Sequence, residues 1–282
     1  MRRFERKLKK TKAEVLLINI TGVLADCGWT YHRKAINEVF ENKGIKIRDK
    51  QVVDTCGLPL YQQIVKLLNH KNVLAEWVKT FKSKPDQTIY NELNVAIATK
   101  ILEVLNQEEY FLSDLKNRIN KLFNKGYKVI LTTEYNKDTA KLIEDRLRES
   151  KYNFHQLYTY DDFNADYPHP LLCYKIAIDL NKFPIETFVR IGDTKYHNIE
   201  ASYAGAWAVS TLTTGPFSGL DKIKLKKKGR LKSDKKIKAI SKKLKRSGAH
   251  YTINTFDEIM WVLEDINYKL SKHELPNCLL YS

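Results

Sequence analysis

Short apolar runs alternate with amphipathic helical segments along most of this chain, and that alternation constrains the fold more than any other feature. "VLLI" at 15–18, "KVILTT" at 128–133, "FVRIGDT" at 188–194 and "AWAVSTL" at 206–212 are runs of strand length that are apolar on both alternating faces. Strands alternating with helices imply a mostly parallel sheet wound on both faces. "HQLYTY" at 155–160 and "AHYTIN" at 249–254 complete the set. Helical spacing lies between them, as in Leu115, Ile119, Leu122 and Phe123, in 138–148, in "PLLCYKIAIDLN" and in "FDEIMWVLEDINYKL". The expected class is α/β, a Rossmann-like parallel sheet with helices on both faces.

Residues 29–106 break the alternation. Their apolar residues recur only at helical spacing, as in Ala35, Ile36, Val39 and Phe40, and again in Ile64, Val65, Leu67 and Leu68. A long helix from about Asp86 to Leu105 closes the stretch. This reads as a helical insert at 29–106 in a core made of 13–28 and 107–282.

In sheets of this kind ligands sit at the carboxyl ends of the strands. Three polar clusters fall there: Asn19 to Gly22, Thr132 to Glu134, and Gly192 to Thr194. A strand-end acid that attacks phosphorus, hydroxyls that hold the oxygens and a second carboxylate on Mg²⁺ would make a phosphate site of this layout. At this point the chain resembles the haloacid dehalogenase superfamily, and within it the phosphonoacetaldehyde hydrolases. The resemblance runs over about 13–268. "GVLADCGWTYHRKAINEVFENKGI" follows the family's first turn and first cap helix, "CGLPLYQQIVKLL" its cap segment, and "TYDDFNADYPHPLLCYKIAIDL" its third motif. "VRIGDTKYHNIEASYAGAWAV" follows the fourth motif, and "GAHYTINTFDEI" the last strand and helix.

The resemblance implies a fold with a helical cap, and it also implies a set of lost functional groups. The family's nucleophilic aspartate falls on Asn19, and the second residue of that motif on Thr21. The lysine that forms an imine with the aldehyde falls on Leu60, which cannot condense with a carbonyl. The arginine that clamps the phosphoryl group falls on Tyr167, and a second acid of the fourth motif on His197. Gly22, one of Thr132 or Thr133, and Asp193 remain, with Asp26 and Gly28 as matches that shape the turn. Glu134 stands where a glycine is expected. Asp193 is the sole carboxylate assigned to the ion, so weak Mg²⁺ at most is expected, and no other cofactor. Loss of a nucleophile commonly costs about 10⁴ to 10⁶ in rate, so no catalytic residue is expected. His197 reads either as an anion or transition-metal ligand or as a neutral filler. Trp29 and Tyr31 are expected to pack at the junction of insert and core, with stacking on a ligand as the alternative.

The net charge of +16 is unevenly spread. Residues 2–12 carry +6 and residues 222–246 carry +13, which leaves −3 on everything else. The second segment supplies Lys224, Lys226, Lys227, Lys228, Arg230, Lys232, Lys235, Lys236, Lys242, Lys243, Lys245 and Arg246 as candidate polyanion contacts. Ile237, Ile240 and Leu244 fit helical spacing, so part of it reads as an amphipathic helix laid on the domain. It holds no aromatic residue, so contact would be with phosphates rather than bases. A solvated surface is the alternative reading of the same residues.

The chain lacks any apolar run of membrane-spanning length and any secretory signal pattern, and its four cysteines form no C-x-x-C pair. A soluble, cytoplasmic protein is expected. Three functions stay open: an inactive phosphonatase-like protein that binds nucleic acid or another polyanion, a phosphohydrolase with an altered site, and a structural component of a larger particle. Homodimerisation through Trp29 to Phe40 is expected from the resemblance.

Overall fold

The computed structural model describes residues 11–105, 110–112, 115–161, 163, 165, 167–219 and 235–277. Residues 1–10 of the basic arm at 1–12, and Lys224, Lys226, Lys227, Lys228, Arg230 and Lys232, lie outside them. Six strands form one parallel sheet: β1 (Val15–Asn19), β2 (Lys128–Thr132), β3 (Gln156–Tyr158), β4 (Phe188–Gly192), β5 (Trp207–Thr211) and β6 (Tyr251–Ile253). Their order is β3-β2-β1-β4-β5-β6, with β1 at the centre. In β1 and β2 Asn19 pairs with Thr132, and in β1 and β4 Ile18 pairs with Ile191. The polar ends of three neighbouring strands therefore share one edge. The strand order reverses between β1 and β4, which opens the crevice where ligands bind in such sheets.

Alternate residues of β1, β2, β4 and β5 enter different cores. Leu16, Ile18, Val129, Leu131, Val189 and Ile191 face one cluster, and Val15, Leu17, Ile130, Phe188 and Ala208 the other. This two-sided burial is why the strands read as unbroken apolar runs.

After β1 come α1 (Thr30–Asn42), α2 (Asp49–Val53), α3 (Leu60–Leu68), α4 (Lys71–Phe81) and α5 (Gln87–Val104). Asp86 caps α5 by accepting the Ile89 N–H at 3.0 Å, which fixes its start where the sequence places it. Ile36, Phe40, Ile64, Trp77 and Ile97 of these helices are continuous with the first core cluster. The apolar side of α1 is therefore covered within the chain. Polar residues such as Lys34, Glu38 and Glu41, with the half-buried Tyr31 and Arg33, are what it offers outward, and Trp29 is fully buried. Trp29 is thus not a surface for a second chain.

The rest of the sheet is covered by α6 (Lys116–Asn124), α7 (Lys137–Glu149), α8 (Leu171–Asp179), α9 (Lys195–Ala204), α10 (Lys235–Arg246) and α11 (Ile259–Ser271). In α10 the residues Ile237, Ile240 and Leu244 are buried against Leu212 and Ala249, as their spacing requires. Among the described residues no helix is long and apolar enough to cross a membrane.

Candidate functional site

At the carboxyl edge of β1 and β2, Asn19, Thr21, Thr132, Thr133 and Glu134 are all buried. Their polar groups satisfy one another. The Asn19 amide donates to Glu134 Oε1 at 2.7 Å and to the Thr21 carbonyl at 2.9 Å. The Thr21 hydroxyl donates to Glu134 Oε2 at 2.7 Å, and the Thr132 hydroxyl to Asn19 Oδ1 at 3.2 Å. A carboxylate thus fills the space between an amide and hydroxyls at the carboxyl ends of β1 and β2. Burial pushes the Glu134 carboxyl above its usual range, while the Asn19 and Thr21 donors pull it back. The Glu134 carbonyl also accepts the Leu60 N–H at 2.9 Å, so the start of α3 is fastened to the same residue.

The second half of the crevice is closed by Trp29. Its indole N–H donates to Asp193 Oδ2. Gly22 sits beneath this contact at φ 76°, where a Cβ would stand 1.9 Å from Asp193 Oδ2 and 2.4 Å from Trp29 Nε1. Only glycine fits there. His197 Nδ1 accepts the Asp193 N–H at 3.3 Å and lies 3.4 Å from Asp193 Oδ1. Burial pushes the Asp193 carboxyl well up and the His197 imidazole well down, so both groups favour their neutral forms.

A magnesium ion, which the family resemblance implies, needs several oxygens at about 2.0–2.1 Å. Here the Trp29 N–H engages Asp193 Oδ2, burial favours the neutral form of the acid, and the nearby Glu134 carboxylate is taken up by Asn19 and Thr21, which leaves Asp193 Oδ1 as the one carboxylate oxygen of the pair without a hydrogen-bond partner. No group of three or more His, Cys, Asp or Glu capable of holding a metal occurs among the described residues. The side chains present do not fit the ion.

Tyr167 is buried, and its hydroxyl is held inside the core. Its hydroxyl donates to Glu200 Oε2 at 3.0 Å, inside a network in which Arg190 Nε donates to the same oxygen at 2.8 Å. Arg190 Nη2 also donates to the Tyr160 hydroxyl at 3.0 Å. Both partners of the Arg190–Glu200 pair are essentially inaccessible. Tyr167, the position on which the resemblance puts the clamping arginine, carries no charge. Its hydroxyl is committed to a buried ion pair. A cation in the middle of the apolar run "FVRIG" was the visible sign, because such a residue requires a buried partner.

Leu60 is 2% exposed and contributes only packing and its backbone N–H. Asp26 accepts the N–H groups of Tyr31 and His32 at 2.8 Å each, which confirms a shaping role at the start of α1. Burial raises its carboxyl to about 7. His32 bridges insert and core, with Nδ1 2.8 Å from the Tyr135 hydroxyl and Nε2 2.9 Å from Gln63 Oε1. Burial lowers its imidazole to about 4. Gly57 brings the insert equally close to the core, since a Cβ there would meet Thr194 Oγ1 at 2.1 Å.

The candidate polyanion face is described only in part. In α10 Lys235, Lys236, Lys238, Lys242, Lys243, Lys245 and Arg246 are exposed.

The model of the haloacid dehalogenase-like hydrolases matches residues 21–210. The phosphonoacetaldehyde hydrolase of Bacillus cytotoxicus is 25% identical over 255 residues, covering 90% of this chain and 97% of that protein. A phosphonoacetaldehyde hydrolase-like protein from Oleispira antarctica superposes with a TM-score of 0.86 at 21% identity, over 94% of this chain and 96% of that one. A β-phosphoglucomutase from Clostridium difficile gives a TM-score of 0.66 at 14% identity, over 91% and 98% of the two chains.

Proposed function

The chain belongs to the haloacid dehalogenase-like hydrolase family, and we propose that it keeps this fold without its chemistry and acts by binding a polyanion. One observation carries the first half. The strand-end position from which a carboxylate would attack is Asn19, and its amide is spent on the chain's own Glu134. An amide cannot form a phospho-aspartyl intermediate. A substrate phosphoryl group would have to displace a buried carboxylate that already accepts two hydrogen bonds at 2.7 Å. Leu60 supplies no imine nitrogen, and Asp193 is held by Trp29 rather than free to hold a cation.

The charge distribution supports the second half. The basic segment 222–246 carries +13 while the chain outside it and the N-terminal arm carries −3. The apolar side of α10 is used up in packing, so its cations form the side that remains for a partner. Phosphates meeting lysines release counterions, and six such contacts on duplex DNA give a slope of about −5 in log affinity against log salt. The test is a salt titration of fluorescent duplex DNA with the whole protein and with Lys226, Lys227, Lys228 and Arg230 all changed to Gln. A steep slope that flattens in the variant is expected. Equal binding by both, or no binding of DNA, RNA or heparin at low salt, overturns the reading.

A further inference from the structure

A second group of cations lies across the seam between the inserted helices and the core, and it extends the charged face of α10 into a recess. A cleft of about 400 Å³ opens beside α2 and α3 and is lined by Arg48, Lys50, Lys66 and His70, with Asp54 as its one carboxylate. Tyr196, at the start of α9, joins this cleft to the core. Its hydroxyl accepts from Lys66 Nζ at 2.8 Å and donates to the Asp54 carbonyl at 3.2 Å. Lys66 Nζ and Lys195 Nζ stand 5.4 and 4.8 Å from the centre of the same Tyr196 ring, so the two cations are neighbours from opposite sides of the seam. Lys243 of α10 is within electrostatic reach of Lys50, Lys195 and Asp54, and its ammonium rests 3.6 Å over the Phe217 ring.

These cations are not neutralised internally. Along α1, α5, α7, α8 and α11 lysines and arginines form ion pairs, as in Lys100 with Glu38, Lys141 with Asp145 and Lys269 with Asp265. Among the described residues Arg48, Lys50, Lys66, Lys195 and Lys243 form none.

We infer that the α2–α3 cleft and the cationic face of α10 make one continuous track for a linear phosphodiester chain, a single nucleic acid strand. The inference rests on the polyanion reading above and adds a site to it. Shape selects the partner class. Lys66 and Arg48 line a recess, which a thin flexible chain can enter and a flat bilayer cannot. The apolar residues of α10 are turned inward, so the helix has no greasy side to place in lipid. The cleft offers cations and no free aromatic platform, so recognition would read the backbone and not the bases.

The test uses the full chain, a fluorescent 20-nucleotide oligo(dT), and a variant carrying Arg48→Gln, Lys50→Gln and Lys66→Gln. Three lost contacts to a single strand should make the salt slope shallower by about 2 and weaken binding at 0.1 M salt by about 100-fold. Lys195→Gln with Lys243→Gln, which leaves the insert untouched, should weaken binding in the same direction, so the test survives a misfolded triple variant. Inorganic polyphosphate should compete for the same site less strongly than unlabelled oligo(dT). Stronger competition would make a phosphoanhydride chain the partner and the inference wrong. If the wild type binds and both variants bind equally well, the cleft is not part of the track, and the broader polyanion reading stands. If the wild type binds nothing, both fall. If vesicles of phosphatidylserine bind tightly and lose binding in the same variants, a membrane is the partner and the inference is wrong.

Discussion

Replacing Glu134 with alanine should reopen the pocket that this residue fills, and inorganic phosphate should then be able to take its place. Glu134 accepts one hydrogen bond from Asn19 and one from Thr21, both at 2.7 Å and both buried. Each bond to an ionised acceptor contributes about 1.5–3 kcal/mol. Relief of the buried charge offsets part of that, because burial disfavours the ionised form here. A net loss of about 2–4 kcal/mol follows, which lowers the melting temperature by roughly 4–16 °C at about 2–4 °C per kcal/mol for a chain of this size. The cavity left behind is lined by the Asn19 amide and the Thr21 and Thr133 hydroxyls. Phosphate at 100 times its dissociation constant would restore about 2.7 kcal/mol. The assay is a thermal melt followed by circular dichroism across a phosphate titration, at constant ionic strength set with chloride. Wild type and Glu134→Gln, which keeps the volume occupied, should not respond. Equal stabilisation of wild type and the alanine variant by phosphate would refute the reasoning, since it would mean that the pocket is open already.

Three further outcomes follow from the same geometry. Asn19→Asp should not restore turnover, and it should destabilise the fold by a few kcal/mol at pH 7, because its carboxylate would face Glu134 across a buried contact. Both carboxyls would then have raised folded pKa values, so the penalty is absent at low pH and grows as pH rises, which chemical denaturation at pH 4.5 and 7 would detect. His32 titrates in the other sense: its folded pKa of about 4 lies below the usual 6.5, so protonation opposes folding and stability is lost as pH falls from 6.5 to 4. His32→Gln should therefore gain on wild type by about 3 kcal/mol between pH 7 and pH 4, read as the pH dependence of the urea midpoint difference. Arg190→Met should cost about 3–5 kcal/mol by leaving the buried Glu200 carboxyl without its cation, and Arg190→Met with Glu200→Gln should recover much of it in the same denaturation assay.

The sheet was legible because its strands alternate with helices and the four inner ones are buried nearly throughout, and the clustering of Asn19, Thr132 and Asp193 follows from parallel strands ending on one edge. The helix at Ile237, Ile240 and Leu244 was legible for the same kind of reason, a local period. What filled the pocket was not. Glu134 reaches Asn19 across 115 residues and Trp29 reaches Asp193 across 164, and such contacts leave no periodic trace in the chain. Glutamate in place of an expected glycine marked the position but not the direction of the side chain. The partner of the Tyr167 hydroxyl was equally hidden, because it is Glu200, whose pairing with Arg190 is visible only when β4 and α9 are packed together.

The central claim is that Asn19, occupied by Glu134, leaves the chain without the family's reaction. Phosphorus NMR of phosphonoacetaldehyde incubated with stoichiometric wild-type protein and magnesium tests it most directly. The account predicts that the phosphonate resonance persists at the rate of the protein-free control. Growth of an inorganic phosphate resonance that is saturable in substrate and abolished by Asp193→Ala would contradict it.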